Sequence, residues 1–302
     1  MKNDHPADEE NWVETTLLSM SLAEKIGHLM CPTLGDKSEE DIAALLEKVP
    51  LGSAFFSDWD SESAARGIEI LQKHSRIPLL IAADMESGPN FGTVFPNAMG
   101  CSAAQAENLM FERGRITARE ARSVGFHWSF APCVDINYNF KNVETGLRSW
   151  GDRPDQIIRM VPALIRGMQD EGRLAATAKH FPGTGMDDRD QHLCTAVNPL
   201  PIDKWLETYG RVWKACFDVD VMSVMPGHIS LPAWEGLDDR PADAMPATLN
   251  KALQHDLLRE ELGFDGVVVS DAGVMIGCAS RIRKEDMMLQ NILTGGDVFL
   301  FP

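Results

Sequence analysis

Gly266-Val267-Val268-Val269-Ser270-Asp271 is the stretch on which the fold turns. Three consecutive valines between a glycine and a Ser-Asp pair read as a β-strand covered on both faces, because a strand with one wet face alternates polar and apolar residues. Working outward, similar short apolar runs occupy residues 26–33, 51–56, 79–86, 127–136, 175–181, 221–228 and 298–301. Helical patterns separate most of them. Residues 38–48 bring Ile42, Leu45 and Leu46 to one face, and residues 61–74 do the same with Ala64, Ile68 and Leu71. Residues 103–124 are charged on one side and stop at Gly125. Residues 154–170 begin at Pro154 and close near Gly172, 200–219 start with Pro201 and Asp203, and 249–262 end at Gly263. Strands alternating with helices predict a parallel α/β fold. Eight such strands in 302 residues predict a closed (β/α)8 barrel of TIM type. Residues 1–20 read as an N-terminal extension and 21–302 as the barrel. No helical pattern follows the run 298–301, so the last outer helix is expected to be absent and the chain to be part of something longer.

Composition narrows the function. The formal net charge is −17, which repels phosphate backbones, so nucleic acid is not an expected partner. The cysteines, Cys31, Cys101, Cys133, Cys194, Cys216 and Cys278, are scattered and mostly flanked by apolar residues. They read as free thiols of a reducing compartment, and their spacing predicts no metal site. The first twelve residues, MKNDHPADEENW, lack the apolar core of a signal peptide, and no run is long enough for a membrane span. A soluble cytoplasmic protein without membrane contact is the expectation.

In a parallel barrel the functional site lies at the C-terminal ends of the strands. Five of the expected strands end in polar residues: Asp84-Met85-Glu86, Asp135-Ile136-Asn137, Lys179-His180, Gly227-His228 and Ser270-Asp271. Such convergence is costly as pure structure, because unpaired charge in one mouth pays a desolvation penalty. Asp271 reads either as a helix N-cap or as a carboxylate nucleophile at a rigid strand end. The segment Lys179-His180-Phe181-Pro182-Gly183-Thr184-Gly185 leaves a strand and runs through a loop to Asp190-Gln191-His192. A Gly- and Pro-containing loop can swing over the mouth. An aspartate two residues before a histidine can fix the imidazole's tautomer and basicity.

This loop resembles the Lys-His-Phe-Pro-Gly-x-Gly loop with a later Asp-x-His of glycoside hydrolase family 3, in its β-N-acetylhexosaminidase-like branch. Phe130-Ala131-Pro132-Cys133-Val134-Asp135, Arg148-Ser149-Trp150-Gly151, Val224-Met225-Pro226-Gly227-His228-Ile229 and the Asp271 strand are similar to further motifs of that family, in the same order. The resemblance implies a retaining exo-β-glycosidase acting on terminal β-linked N-acetylglucosamine. Asp271 would be the nucleophile, and His192, assisted by Asp190, the general acid/base. Asp84, Arg148, Lys179 and His180 would bind the terminal sugar, with His228 either a further contact or barrel lining. No metal or cofactor is implied, and the expected partner is a carbohydrate substrate, with a second domain following the barrel. The sequence departs from the family at Ser87-Gly88-Pro89-Asn90-Phe91-Gly92, where a second glycine and a following arginine are usual. It also departs at Thr184, often His or Asp, and at Ala272, often acidic. These departures leave open a β-glucosidase, a β-xylosidase or a glycoside phosphorylase. A sugar-binding barrel without catalysis is the alternative from another class.

Overall fold

The computed structural model describes residues 6–34, 37–57, 60–170 and 174–302. Eight strands form the barrel wall: β1 (Met30–Cys31), β2 (Ser53–Phe55), β3 (Leu80–Ala83), β4 (Trp128–Ser129), β5 (Ala175–Phe181), β6 (Ser223–Pro226), β7 (Val267–Val268) and β8 (Phe299–Leu300). Strands β2 to β7 pair in chain order, and every pair is parallel. β1 pairs with β8 through Met30 opposite Phe299 and Cys31 opposite Leu300. Two parallel bridges, Thr33 with Phe55 and Val269 with Val298, join that pair to the two ends of the larger sheet. The ring is thereby closed, and the sheet has no free edge.

The helices sit where local chemistry starts and stops them. Ser38 and Asp60 cap the helices Glu39–Lys48 and Ser61–His74 by accepting from backbone N–H groups of the first turn. Helix Glu107–Val124 ends at Gly125, whose φ of 111° is the left-handed conformation of a C-terminal glycine cap. That helix packs against Pro154–Gln169 through Gly114 and Gly167. A Cβ at Gly114 would lie 2.5 Å from Leu164 O, and one at Gly167 would lie 2.1 Å from Phe111 O, so only glycine permits this approach.

Four expectations need correction. Residues 26–27 end a helix, Leu22–Gly27, started by a reciprocal Ser21–Glu24 capping box, so the first strand begins later. The helix expected over 103–124 starts later, at Glu107, and a separate short helix, Ala98–Ala103, precedes it across a break where Gln105 takes a φ of 50°. The helix expected over 200–219 is a continuous helical run with a π-type turn at Leu206–Gly210. The stretch 249–262 is wound as a π-helix over Ala252–Glu261. Gly172, the expected stop after the helix at 154–169, lies outside the described residues.

The two larger apolar clusters of the described residues form two layers. The larger lies between the strands and the helices and includes Ile81, Ala178, Val224 and Val268 facing Ile157, Val161, Trp213 and Leu257. The smaller fills the barrel itself with Phe55, Trp128, Phe130, Met225 and Val269. Phe55 stacks on Phe130 at 5.6 Å, and Trp128 meets Phe130 edge-on at 5.0 Å. The Trp128 indole N–H, buried in this plug, donates to Thr177 Oγ1 and Ser223 Oγ at 2.9 and 2.8 Å. The plug closes the barrel bore and leaves a floor at the C-terminal mouth.

Candidate active site

The mouth holds a cavity of about 450 Å³, lined by Asp84, Arg148, Lys179, His180, His192 and Asp271, among others. That volume lies within the roughly 300–1,000 Å³ of small-ligand pockets. Phe55, Phe130, Met225, Leu300 and Phe301 give it an apolar base. Larger hollows elsewhere, such as one of about 730 Å³ lined by helix Leu22–Gly27 and the C-terminal half of helix Glu39–Lys48, carry no comparable convergence of strand ends.

Lys179 and His180 are consecutive strand residues, yet both reach the cavity. In a regular strand they would point to opposite faces. The β5–β6 register shifts between Lys179 and Phe181, and this irregularity re-aims the second side chain. Lys179 Nζ donates to Asp84 Oδ1 at 2.7 Å and pairs with Glu86 Oε1 at 2.9 Å. Arg148 grips both oxygens of Glu86, at 2.9 Å from Nε and 2.7 Å from Nη2. Burial works against charge on both Glu86 and Lys179. The Lys179 and Arg148 charges nevertheless hold Glu86 well below the usual carboxylate range, and Asp84 and Glu86 hold Lys179 protonated above the usual ammonium range. The result is a chain of alternating charges, Asp84–Lys179–Glu86–Arg148, across one wall. Its Asp84 end is half exposed and open to a ligand.

His180 is fixed from behind. Asp135 Oδ2 lies 2.8 Å from His180 Nδ1, and Asp135 Oδ1 accepts the Thr184 N–H at 2.9 Å. An Nδ1–H tautomer leaves Nε2 as acceptor on the cavity side, where Arg148 Nη2 stands 3.4 Å away. Asp135 thus holds both the histidine and the start of the long loop.

Asp271 follows β7 and is buried. Its Oδ1 accepts the Ala272 N–H at 2.7 Å, while Oδ2 has no hydrogen-bond partner among the described residues. Burial pushes its pKa up. The neighbouring His180 and His228 rings, the Ala272 N–H and the Lys179 charge outweigh burial and hold the group below its ordinary value. The carboxylate is therefore ionised and has one free oxygen. His228 sits beneath it, fully buried, with Nδ1 at 2.9 Å from Thr248 Oγ1 and Nε2 at 2.9 Å from Ala272 O. Both ring nitrogens are occupied, and burial lowers its pKa. With both nitrogens engaged inside the protein, His228 holds the Ala272 backbone, as the lining alternative of the two sequence readings expects.

Asp190 and His192 are brought together. Asp190 Oδ1 accepts the His192 N–H at 2.9 Å and lies 2.7 Å from His192 Nδ1. Burial raises the Asp190 pKa, but the backbone and ring hydrogen bonds from His192 lower it further, so the pair holds a carboxylate against the imidazole. The opposite ring atom, Nε2, is left for a ligand. In this structure the loop is docked, not swung out. The Ile276 and Gly277 N–H groups donate to His192 O and Gln191 O at 3.1 and 3.0 Å. Gln191 Oε1 accepts the His228 N–H at 2.7 Å. A Cβ at Gly277 would come within 2.5 Å of Gln191 O, so the close docking depends on glycine there. A short parallel pair, Ala196–Val197 with Ile229–Ser230, ties the loop's far end to the β6 side.

Glu86, Asp135, Gln191 and Ser57 also belong to this site and carry no role in the sequence reading. Glu86 was legible: it stands two residues after Asp84, on the same side of an extended chain. Glu86 takes its cations from Lys179 on β5 and from Arg148 in the short helical turn Gly146–Arg148.

A closed parallel barrel whose C-terminal mouth gathers carboxylates, a lysine, an arginine and two histidines has the architecture in which barrel enzymes place their active sites. Residues 21–302 match the model of the glycosyl hydrolase family 3 N-terminal domain, and the chain belongs to that family. It is 36% identical over 299 residues to a β-N-acetylglucosaminidase/β-glucosidase of Cellulomonas fimi, covering 96% of this chain and 52% of the relative. Among solved structures it superposes on a β-glucoside phosphorylase with a TM-score of 0.92 at 32% identity, covering 99% of this chain and 55% of the other. A family 3 β-N-acetylglucosaminidase from Paenibacillus sp. str. FPU-7 gives a TM-score of 0.87 at 30% identity, covering 94% and 55%. The chain spans about half the length of these relatives. No helix among the described residues is long and apolar enough to cross a membrane.

Proposed function

We propose that this barrel hydrolyses terminal β-linked N-acetylglucosamine with retention, through a covalent glycosyl-enzyme on Asp271. The observation that carries the reading is the Asp190–His192 pair, docked by its backbone onto the segment that follows Asp271. In the first step His192, protonated on Nε2, gives that proton to the leaving oxygen while Asp271 Oδ2 attacks the anomeric carbon. In the second step the neutral imidazole takes a proton from water, which attacks the same carbon and frees Asp271. Lys179, Asp84 and His180 hold the sugar hydroxyls, and Arg148 fixes Glu86 against them. The names of the Cellulomonas and Paenibacillus relatives support the N-acetylglucosaminide as substrate. The free state of all six cysteines supports a reducing, cytoplasmic setting. The relatives' greater length supports a second domain after the barrel that completes the cleft.

Phosphorolysis is the second reading, favoured by the likeness to a β-glucoside phosphorylase. A neutral imidazole repels an incoming phosphate less than a carboxylate would. A panel of aryl β-glycosides, N-acetylglucosaminide beside glucoside, with and without inorganic phosphate, separates the two. The proposal expects turnover of the N-acetylglucosaminide to free sugar at a rate independent of phosphate. Phosphate-dependent release of a sugar 1-phosphate would replace it with the second reading, and turnover of the glucoside alone would overturn the substrate.

A further inference from the structure

Behind the Asp190–His192 pair lies a carboxyl group that the proposed reaction does not use. Glu144 precedes the Arg148 turn, and only 2% of its side chain is exposed. Asn142 Oδ1 fixes the backbone there by accepting the Glu144 and Thr145 N–H groups at 3.1 and 2.8 Å. Neither Glu144 carboxyl oxygen has a hydrogen bond of ordinary geometry among the described residues, and the donor that acts on the group is the Gln191 backbone N–H. Glu144 Oε1 lies 3.9 Å from His192 Nδ1, the ring atom that faces Asp190. The charged and titratable groups around it are Asp190 and His192 on the loop, His180 on β5, Asp135 after β4, and Arg148, whose Nη1 donates to Glu144 O at 3.4 Å.

A buried carboxyl this poorly satisfied is costly when ionised and calls for an explanation. We infer that Glu144 is a positioning residue of the acid/base unit, and that its carboxyl, set behind His192 Nδ1, governs how firmly the imidazole holds a proton on Nε2. This rests on the reading of His192 as the acid/base. Burial, opposed by His180 and reinforced by Asp135 and Asp190, raises the Glu144 pKa to about 7. Below that pH the group is neutral and Asp190 alone faces the imidazole. Above it a second negative charge stands 3.9 Å from Nδ1 and stabilises the imidazolium, so the acid survives further into alkaline solution.

Glu144→Gln keeps the shape and removes the charge. The test is the pH profile of kcat/KM on a substrate with a poor leaving group, measured for the wild type, Glu144→Gln, Glu144→Asp and His192→Ala in the full chain. The alkaline limb is expected to move toward acid by about one pH unit in Glu144→Gln, since one unit corresponds to a tenfold change in proton affinity. KM holds, and Glu144→Asp restores part of the shift. A uniform loss of rate with an unmoved limb, or superimposable profiles, overturns the role of Glu144. Glu144, Asp190 and His192 also lie close enough to hold a cation. A wild-type profile that shifts when a chelator is added would make the cluster a metal site and overturn the inference. If His192→Ala keeps the wild-type alkaline limb, the acid/base reading itself fails, an outcome distinct from a limb lost in His192→Ala and unmoved in Glu144→Gln.

Discussion

Asp271→Ala is expected to lower kcat/KM on every β-glycoside by about 10⁴-fold or more, the scale on which loss of a central catalytic group acts. The reason is positional as well as chemical. Asp271 is 8% exposed and stands at a strand end with one oxygen tied to the Ala272 N–H and the other unpartnered. Glu86 is bound on both oxygens by Arg148, and Asp84 is paired to Lys179. Glu86 cannot take over the attack without breaking an ion pair. The fold is expected to survive, because the substitution removes a desolvated charge along with one hydrogen bond worth about 1 kcal/mol. Steady-state kinetics with a thermal melt on the same sample checks both parts. A residual rate within tenfold of the wild type would remove Asp271 from the reaction.

His192→Ala is expected to divide substrates by leaving group. Protonation of the departing oxygen matters most when that oxygen is basic, so an unactivated glycoside should lose about 10²–10⁴-fold in kcat/KM. A nitrophenyl glycoside departs without that proton and should lose far less. Its second step still needs a base, so the glycosyl-enzyme should accumulate and kcat should fall with KM. A small anionic nucleophile such as azide, which needs no base, should restore that kcat. Equal losses on both substrate types, with no azide rescue, would remove His192 from the acid/base role. The side chain is 60% exposed, so a loss of folding is not expected to obscure the comparison.

The barrel was legible because its strands are the most apolar short runs in the chain. Val267–Val268 and Ala175–Phe181 fall inside their expected windows, and helix Ser61–His74 has the expected bounds. Strand lengths were less legible. Ile26 and Ile136 continue the apolar pattern of their runs, but the first lies in a helix and the second lies beyond the ladder of Trp128–Ser129. Periodicity registers burial and not pairing. In the site, residues at strand ends could be named because the fold dictates where they converge. What pattern could not give was which of them face a ligand. His228 stands in a strand-end motif like Lys179, yet both its nitrogens are used internally, because Thr248 and Ala272 O close on it from distant segments. Glu144 had no signal at all. It follows Val143 in a polar loop, and only the tertiary fold buries it behind His192. The same is true of the docking of the Asp190–His192 loop, which depends on Gly277 far along the chain.

The central claim is a covalent sugar on Asp271, and the direct measurement is to trap it. A fluorinated glycosyl fluoride of the preferred sugar slows the second step more than the first, so the adduct persists through digestion and mass analysis of the peptides. One equivalent of label on the peptide bearing Ser270-Asp271, absent in Asp271→Ala, is the predicted result. Label on Asp84 or Glu86 instead, or no label from a probe that is turned over with inversion at the anomeric carbon, would contradict the account.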